Sequence, residues 1–259
     1  MPILPRPVRA FISKSMDTAR SWIDINPALA KDLARARNSD LFQSVYSKPE
    51  PLVSVCVGTY NRGKLITQRC LPSILEQTYR NLEVIVVGDA CTDDTFDRIR
   101  KFSDERLKYV NLEQRGEYPR IRKFRWMVAG TIPFNHALRM AKGDFITHLD
   151  DDDEYLPDRI EKLVRFSLDQ RLELAWHPFF MESPEGDWYT RPCDDLKYGG
   201  VTTSSCLYHN WFKQIEWDIN AWRLYEPGDW NRFRKLKHLN IKAARHPDPL
   251  LRHYMERAQ

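Results

Sequence analysis

Asp144-Phe145-Ile146-Thr147-His148-Leu149 runs directly into Asp150-Asp151-Asp152-Asp153, then into Glu154-Tyr155-Leu156-Pro157-Asp158-Arg159. The first six residues are a short apolar, β-branched run of the kind that forms a buried strand. Pro157-Asp158-Arg159 opens a helix, because proline costs nothing in the first turn. A strand therefore ends abruptly in four carboxylates. An acidic run in open solvent is usually just a solvated turn. Fixed at the end of a buried strand, these carboxylates must instead raise their pKa values or recruit a cation. Oxygen-only ligands suit Mg²⁺ or Mn²⁺, and Mg²⁺ commonly takes one or two carboxylates together with substrate phosphates.

The same alternation extends upstream. Leu52-Val53-Ser54-Val55-Cys56-Val57 and Leu82-Glu83-Val84-Ile85-Val86-Val87 read as buried strands, and Leu107-Lys108-Tyr109-Val110 as a third. Helices are expected over 64–77, with Pro72 imposing a kink or an early stop, after the cap residues 92–95, and over 131–141. Strands alternating with helices across 52–170 predict an α/β fold, a mostly parallel sheet with helices on both faces. In such sheets ligands bind beyond the carboxyl ends of the strands. Three polar clusters fall at those ends: Thr59-Tyr60-Asn61-Arg62, Gly88-Asp89-Ala90-Cys91 and the four aspartates. Beyond residue 170 the pattern is irregular and rich in tryptophan, and no strands can be traced.

Residues 11–46 carry apolar positions at helical spacing, among them Ile25, Leu29, Leu33 and Ala36, and predict two helices packed on the main body. Ser47-Lys48-Pro49-Glu50-Pro51 is the linker. The chain thus divides into an N-terminal helical extension (1–50) and two halves of one domain (51–155 and 156–259).

The 259 residues suffice for a full hydrophobic core. No apolar run approaches the roughly 20 residues of a membrane-spanning helix, and Met1–Ala10 lacks the apolar centre of a secretory signal. Five cysteines without a C-x-x-C point to a reduced, cytoplasmic protein. The first 49 residues hold eight Lys or Arg against four Asp or Glu, which accounts for the whole net charge of +4. A neutral body argues against nucleic-acid binding. The basic arm reads as a solvated extension, with weak peripheral contact at an anionic inner membrane face as its second reading.

Two rival carboxylate motifs fail. A calcium loop starting at Asp150 needs glycine at its sixth position, where Tyr155 stands. A phosphatase of the Asp-x-Asp-x-Thr type needs a threonine where Glu154 and Tyr155 lie. Instead, four segments in order resemble the inverting family-two glycosyltransferases of the GT-A fold. Val53–Arg62 is similar to the family's opening strand and T-Y-N-R turn. Ser73–Tyr79 is similar to S-[IVL]-L-x-Q-T-[YF], Val87–Thr95 to V-x-D-G-S-T-D-x-T, and Leu149–Asp158 to L-D-x-D-D-x-Y-x-P-D. The resemblance is strong over 52–165, weak afterwards and absent before 50.

By position, the resemblance implies a donor site of Thr59, Tyr60, Asn61, Arg62, Asp89, Asn135, Asp150, Asp151 and Asp153. Thr59 and Asp89 would contact base and ribose, Asp89 accepting from a uracil imide N–H. Asp150 would reach the ribose, Asp152 would hold the metal (Mn²⁺ or Mg²⁺) on the diphosphate, and Asp153 would assist or orient the sugar. Asn135 falls where the family has the asparagine of A-R-N-x-G. Phe134 replaces that arginine, leaving Arg115, Arg120, Arg122 or Arg125 to be read either as a substitute or as a solvated basic loop. Glu226-Pro227-Gly228-Asp229-Trp230 resembles the E-D-W-like segment, which implies Asp229 as catalytic base; an N-cap is its structural alternative. His253 is a candidate further metal ligand, although a lone histidine is more often structural. Trp176, Trp188, Trp211 and Trp217 offer faces for a sugar, but core packing is the default for tryptophan.

The implied activity is metal-dependent inverting transfer from a nucleotide-diphosphate sugar, UDP-sugars favoured, to a hydroxyl of a polysaccharide, glycolipid or glycan precursor. Two alternatives stand. One is a sugar nucleotidyltransferase, disfavoured because Gly58 and Gly63 are the sole glycines of its expected loop. The other is a non-catalytic nucleotide-sugar-binding module.

Overall fold

The strand ends that carry the polar clusters lie side by side. In this computed structural model, which describes residues 27–255, the first helices are α1 (Pro27–Arg37) and α2 (Asp40–Ser44), followed by strand β1 (Val53–Thr59). Next come α3 (Gly63–Leu65), a π turn (Ile66–Cys70), α4 (Leu71–Leu75), β2 (Leu82–Gly88), α5 (Thr95–Ile99) and β3 (Leu107–Asn111). Helices α6 (Arg122–Met127) and α7 (Thr131–Met140) lead to β4 (Phe145–His148), β5 (Glu154–Tyr155) and α8 (Arg159–Gln170). The remaining elements are β6 (Leu174–Trp176), β7 (Phe179–Glu182), β8 (Trp188–Arg191), β9 (Cys206–His209), α9 (Gly228–His238), β10 (Ala243–Arg245) and β11 (Leu251–His253).

Seven strands form one sheet in the order β10-β6-β9-β4-β1-β2-β3, parallel except for β9, which is antiparallel to both β4 and β6. The expected mostly parallel α/β sheet is therefore present. β1 and β2 are almost entirely buried, as continuous Val/Ile runs should be in a sheet covered on both faces. Their register pairs Thr59 with Gly88, while β4 runs beside β1 with His148 opposite Cys56. A second sheet, β5-β11-β7-β8, takes three of its four strands from the stretch beyond residue 170, the exception being β5 just after the aspartates. Its strands are two to four residues long, too short to show a period.

The run over 64–77 is helical from Gly63 to Leu75, with a π turn just before Pro72 and an end two residues early. The π turn lets the Leu71 N–H reach the Ile66 carbonyl, so Pro72 enters in the first turn of α4, where its missing N–H costs nothing. Helix α5 begins as expected, with Asp93 Oδ1 accepting from the Thr95 N–H at 3.1 Å.

The described part of the N-terminal extension is fastened to the body. Leu33, Phe42 and Val45 join the main core, and the Phe42 ring stacks on His209 at 3.9 Å. Arg37 pairs with Glu173 at 2.6 Å, and Lys48 with Asp144 at 2.7 Å. Ile25 and the basic residues of the first 26 positions lie outside the described residues. Among the described residues, no helix is long and apolar enough to cross a membrane.

The loops after β1 and β2 meet closely at Gly63. A methyl group there would lie 2.7 Å from the Thr95 Cα and 3.0 Å from its nitrogen, both backbone atoms. Gly63→Ala is expected to destabilise the fold by about 1–3 kcal/mol in urea unfolding, as overpacking against backbone does. Wild-type stability would mean that the two loops part freely.

Candidate active site

The carboxyl ends of β1, β2 and β4 carry the three clusters. Asn61 adopts φ 52°, a left-handed conformation that asparagine tolerates. Its Oδ1 accepts from the Thr92 N–H at 2.8 Å, so Asn61 ties the first loop to the second rather than facing a ligand. The Asp89 N–H donates to the Thr59 carbonyl at 2.8 Å, completing that junction. Ala90 holds φ 56° where the family pattern has glycine, a costly conformation for an alanine.

The four aspartates are distributed to different partners. Asp150 Oδ2 accepts from Ser204 Oγ at 3.2 Å, and Ser204 Oγ in turn accepts from the Asp150 N–H at 3.0 Å. Asp151 accepts from Thr59 Oγ1 at 2.7 Å and from Arg62 Nη1 at 3.0 Å. Arg62 Nη1 also reaches Asp152 Oδ2 at 2.9 Å, and Arg69 Nη1 donates to the Asp152 carbonyl at 2.7 Å. Asp153 pairs with His253 Nδ1 at 2.9 Å and accepts from the Tyr254 N–H at 3.1 Å. Asp151 and Asp153 are thus buried and braced, whereas the Asp152 side chain stays 20% exposed.

Burial, followed by the crowding of Asp153 and Asp152, lifts Asp150 well above the ordinary carboxylate range. Burial lifts Asp151 to about 6, against the pull of Arg62. Burial alone would lower His253, but the Asp153 carboxylate holds its proton and raises it to about 9. The cluster therefore retains more proton affinity than exposed aspartates do, which is the electrostatics of a site that a cation would relieve. Among the described residues, no three His, Cys, Asp or Glu side chains converge on one metal position. An oxygen donor such as Asp152, completed by phosphates, still fits Mg²⁺ or Mn²⁺, which need few protein ligands. His253 does not join that set through Nδ1, because Asp153 occupies it.

At the end of β2, Asp89 is buried and accepts from the Gly116 N–H at 3.3 Å and from Arg115 Nε at 3.5 Å. The Arg115 guanidinium lies 3.4 Å over the half-exposed ring of Tyr60. Of the four arginines considered as replacements for the one missing at Phe134, Arg115 is the one that contacts the cluster. Arg125 instead donates to the carbonyls of Pro119 and Arg120.

Asn135 departs from expectation. Its Nδ2 donates to the Trp217 carbonyl at 2.9 Å and its Oδ1 accepts from the Trp217 N–H at 2.8 Å. Both ends of the amide are engaged by one backbone unit, so Asn135 braces α7 against the 210–217 segment instead of facing a donor. Phe134, in the arginine's place, stacks on Trp217 at 5.4 Å. Trp176 and Trp217 belong to the core, Trp211 packs against it, and Trp188 is exposed on β8.

Of the two acidic residues in the 226–230 segment, one is structural. Glu226 is buried and accepts from Arg234 Nη2 and Asn231 Nδ2, each at 2.9 Å. Glu226→Ala would remove a charge-assisted hydrogen bond from a buried ion pair and is expected to cost about 1.5–3 kcal/mol in denaturant unfolding. A loss below ~1 kcal/mol would free Glu226 for a chemical role. Asp229 stands in the first turn of α9, its Oδ1 accepting from the Trp230 N–H at 2.6 Å. Burial lifts it to about 6, with that N–H and the charge of His253 opposing the rise. His253 thus links Asp229 electrostatically to the aspartate cluster.

Ser204, Arg69 and Tyr254 support the site without having been singled out from sequence. Ser204 lies in the 3₁₀ turn before the antiparallel strand β9, outside any strand–helix alternation. Arg159, fully buried, secures that turn by donating to the Ser204 carbonyl at 2.8 Å and to His177 Nε2 at 2.9 Å. A cavity of about 410 Å³ opens between Gln68, Arg69, Ser73, Glu154 and Tyr254.

Solved structures share this architecture. The chain matches Staphylococcus aureus TarS residues 1–349 in complex with UDP-GlcNAc at a TM-score of 0.62 and 21% identity, covering 80% of this chain and 59% of that one. It matches the mannosyltransferase PcManGT from Pyrobaculum calidifontis, in complex with GDP-Man and Mn²⁺, at 0.58 and 20% identity, covering 92% and 66%. These likenesses establish the GT-A fold. In sequence it is 30% identical over 131 residues to the Escherichia coli UDP-Glc:α-D-GlcNAc-diphosphoundecaprenol β-1,3-glucosyltransferase WfaP, covering 51% of this chain and 47% of that protein. The chain spans 24%, 47% and 60% of the lengths of three curated relatives that it matches. The model of glycosyl transferase family 2 matches residues 54–213, more than half of the chain, and the protein belongs to that family.

Proposed function

We propose that the protein is a metal-dependent inverting glycosyltransferase that moves a sugar from a nucleotide-diphosphate sugar, UDP-sugars favoured, to a hydroxyl of a polysaccharide, glycolipid or glycan precursor. The observation that carries the reading is the meeting of Thr59, Asp89 and the four aspartates at three adjacent strand ends, with Asp229 in electrostatic reach through His253. Residues 51–155 would form the donor half and 156–259 the acceptor half. The relative named for UDP-Glc and the neighbour solved with UDP-GlcNAc support the donor preference, and the diphosphoundecaprenol-linked acceptor in that relative's name supports a lipid-linked precursor.

In this reading Asp89 receives the base, Thr59 positions the loop beside it, and Asp150 takes the ribose. Asp152 would hold Mn²⁺ or Mg²⁺, whose charge would stabilise the departing diphosphate. The acceptor oxygen gives its proton to Asp229 as it forms a bond to the anomeric carbon. The bond from that carbon to the diphosphate oxygen breaks, and its electron pair leaves with the nucleoside diphosphate. A single displacement inverts the anomeric centre.

Calorimetric titration of UDP, GDP and dTDP, each with Mn²⁺ and with EDTA, tests the donor site. Metal-dependent binding of UDP is the expected result, and no binding of any of the three would overturn the reading. The engagement of Asn135 and Glu226 in bracing favours a second reading, a nucleotide-sugar-binding module without turnover. Slow hydrolysis of a bound donor by the purified protein excludes it.

A further inference from the structure

The loop between β3 and α7 carries Pro119-Arg120-Ile121-Arg122-Lys123-Phe124-Arg125-Trp126, and the sequence contains no acidic residue from 118 to 143. Its helix α6 is seated through Phe124, which packs on Trp222 at 5.1 Å and on Tyr225 at 5.8 Å. Two hydrogen bonds from Arg125, to the carbonyls of Pro119 at 3.2 Å and Arg120 at 2.8 Å, hold the loop in shape. That anchoring turns the other large apolar side chains outward. Ile121 is 61% exposed, Trp126 62% and the neighbouring Tyr225 69%.

Around them stand Arg120, Arg122, Lys123, Arg125 and Arg223, all exposed. Among the described residues none of these five pairs with a carboxylate. Exposed arginines elsewhere commonly do, as in Arg35–Asp32, Arg98–Asp94, Arg139–Glu216 and Arg165–Glu161. A surface that only needed solubility would have no reason to keep a tryptophan and an isoleucine out in water among unneutralised cations.

We infer that this face docks on an anionic lipid bilayer. The cations meet the lipid phosphates, while Trp126 and Ile121 enter the headgroup boundary, where amphipathic rings are favoured. The exposed Ile121, an aliphatic side chain that offers a sugar ring no stacking face, favours lipid over an acidic polysaccharide. The face lies elsewhere in the sequence than the N-terminal basic arm. It shares its loop with Arg115, which contacts Asp89, so docking would turn the mouth of the site toward the membrane. Binding itself does not depend on the transfer reaction proposed above.

The full chain, sedimented with phosphatidylcholine vesicles and with vesicles enriched in phosphatidylglycerol, is expected to partition onto the anionic ones in a salt-sensitive manner. The double variant Ile121→Ser/Trp126→Ser should lower that partition by at least about tenfold. Lys123→Glu/Arg223→Glu should lower it by about fivefold or more per position. Both doubles should keep wild-type UDP affinity and thermal unfolding, which separates a failed docking face from a failed donor site. Indifference to phosphatidylglycerol, or a partition unchanged by either double, would overturn the inference. So would loss with the charge variants alone, coupled with equal competition by a soluble acidic polysaccharide, which would assign the face to such a polymer.

Discussion

Asp152→Ala is expected to lower kcat/KM by at least about 10³-fold, because several kilocalories of charge stabilisation on the leaving diphosphate would go with the carboxylate. Its UDP affinity in Mn²⁺ should fall to the level seen with EDTA. The choice among four adjacent aspartates is physical. Asp151 is taken up by Thr59 and Arg62, Asp153 by His253 and the Tyr254 N–H, and Asp150 by Ser204. Asp152 has Arg62 as its side-chain partner and stays partly open to solvent. Removing a partly exposed carboxylate from such a pair costs little stability, so the variant should fold. Asp151→Ala, by contrast, would undo the brace from β1 to the aspartates and should lower unfolding stability as well as binding. Unchanged Mn²⁺-dependent UDP binding in Asp152→Ala would remove that residue from the metal site.

The hydrogen-bond partners of the aspartates could not have been read from four identical letters, although their place could. β1, β2 and β4 announce themselves because strands buried on both faces must be written as unbroken apolar, β-branched runs. The polar residues that interrupt those runs then mark the sheet's ligand-binding edge. What followed residue 170 was illegible for the converse reason. β9 runs antiparallel between β4 and β6, and the second sheet is assembled from two- to four-residue strands distant in sequence. Ser204 and the Arg159–His177 pair depend on that long-range assembly. Asn135 and Glu226 show the limit of transfer by position: each occupies a place that invites a functional role, and each is saturated by partners that only the folded chain supplies. Asp229, in the same segment, accepts from the Trp230 N–H and is the acid to which the proposed reading assigns the chemistry.

Asp229→Asn therefore isolates that chemistry. The amide oxygen can still accept from the Trp230 N–H, so the start of α9 should be kept, while the proton acceptor is lost. Turnover is expected to drop by about 10²–10⁴-fold, the usual contribution of a general base, with UDP affinity unchanged. The pH dependence follows from the burial that raises this carboxyl to about 6. A base works only when ionised, so the activity of the wild type should fall as pH drops through about 6, and the residual activity of Asp229→Asn should lack that limb. Stability should move the other way. The unfolded chain ionises this carboxyl near its ordinary value while the native state resists until about 6, so the wild type loses stability as pH rises through that window. Asparagine carries no such penalty, and the variant should melt higher than the wild type above pH 6 and no higher at pH values below the ordinary aspartate range. A variant that is dead but more stable would mark Asp229 as a residue kept for reaction at the expense of the fold. Unchanged turnover would send the search for the base elsewhere, and a lower melting temperature at neutral pH would make the N-terminal turn of α9 its real task.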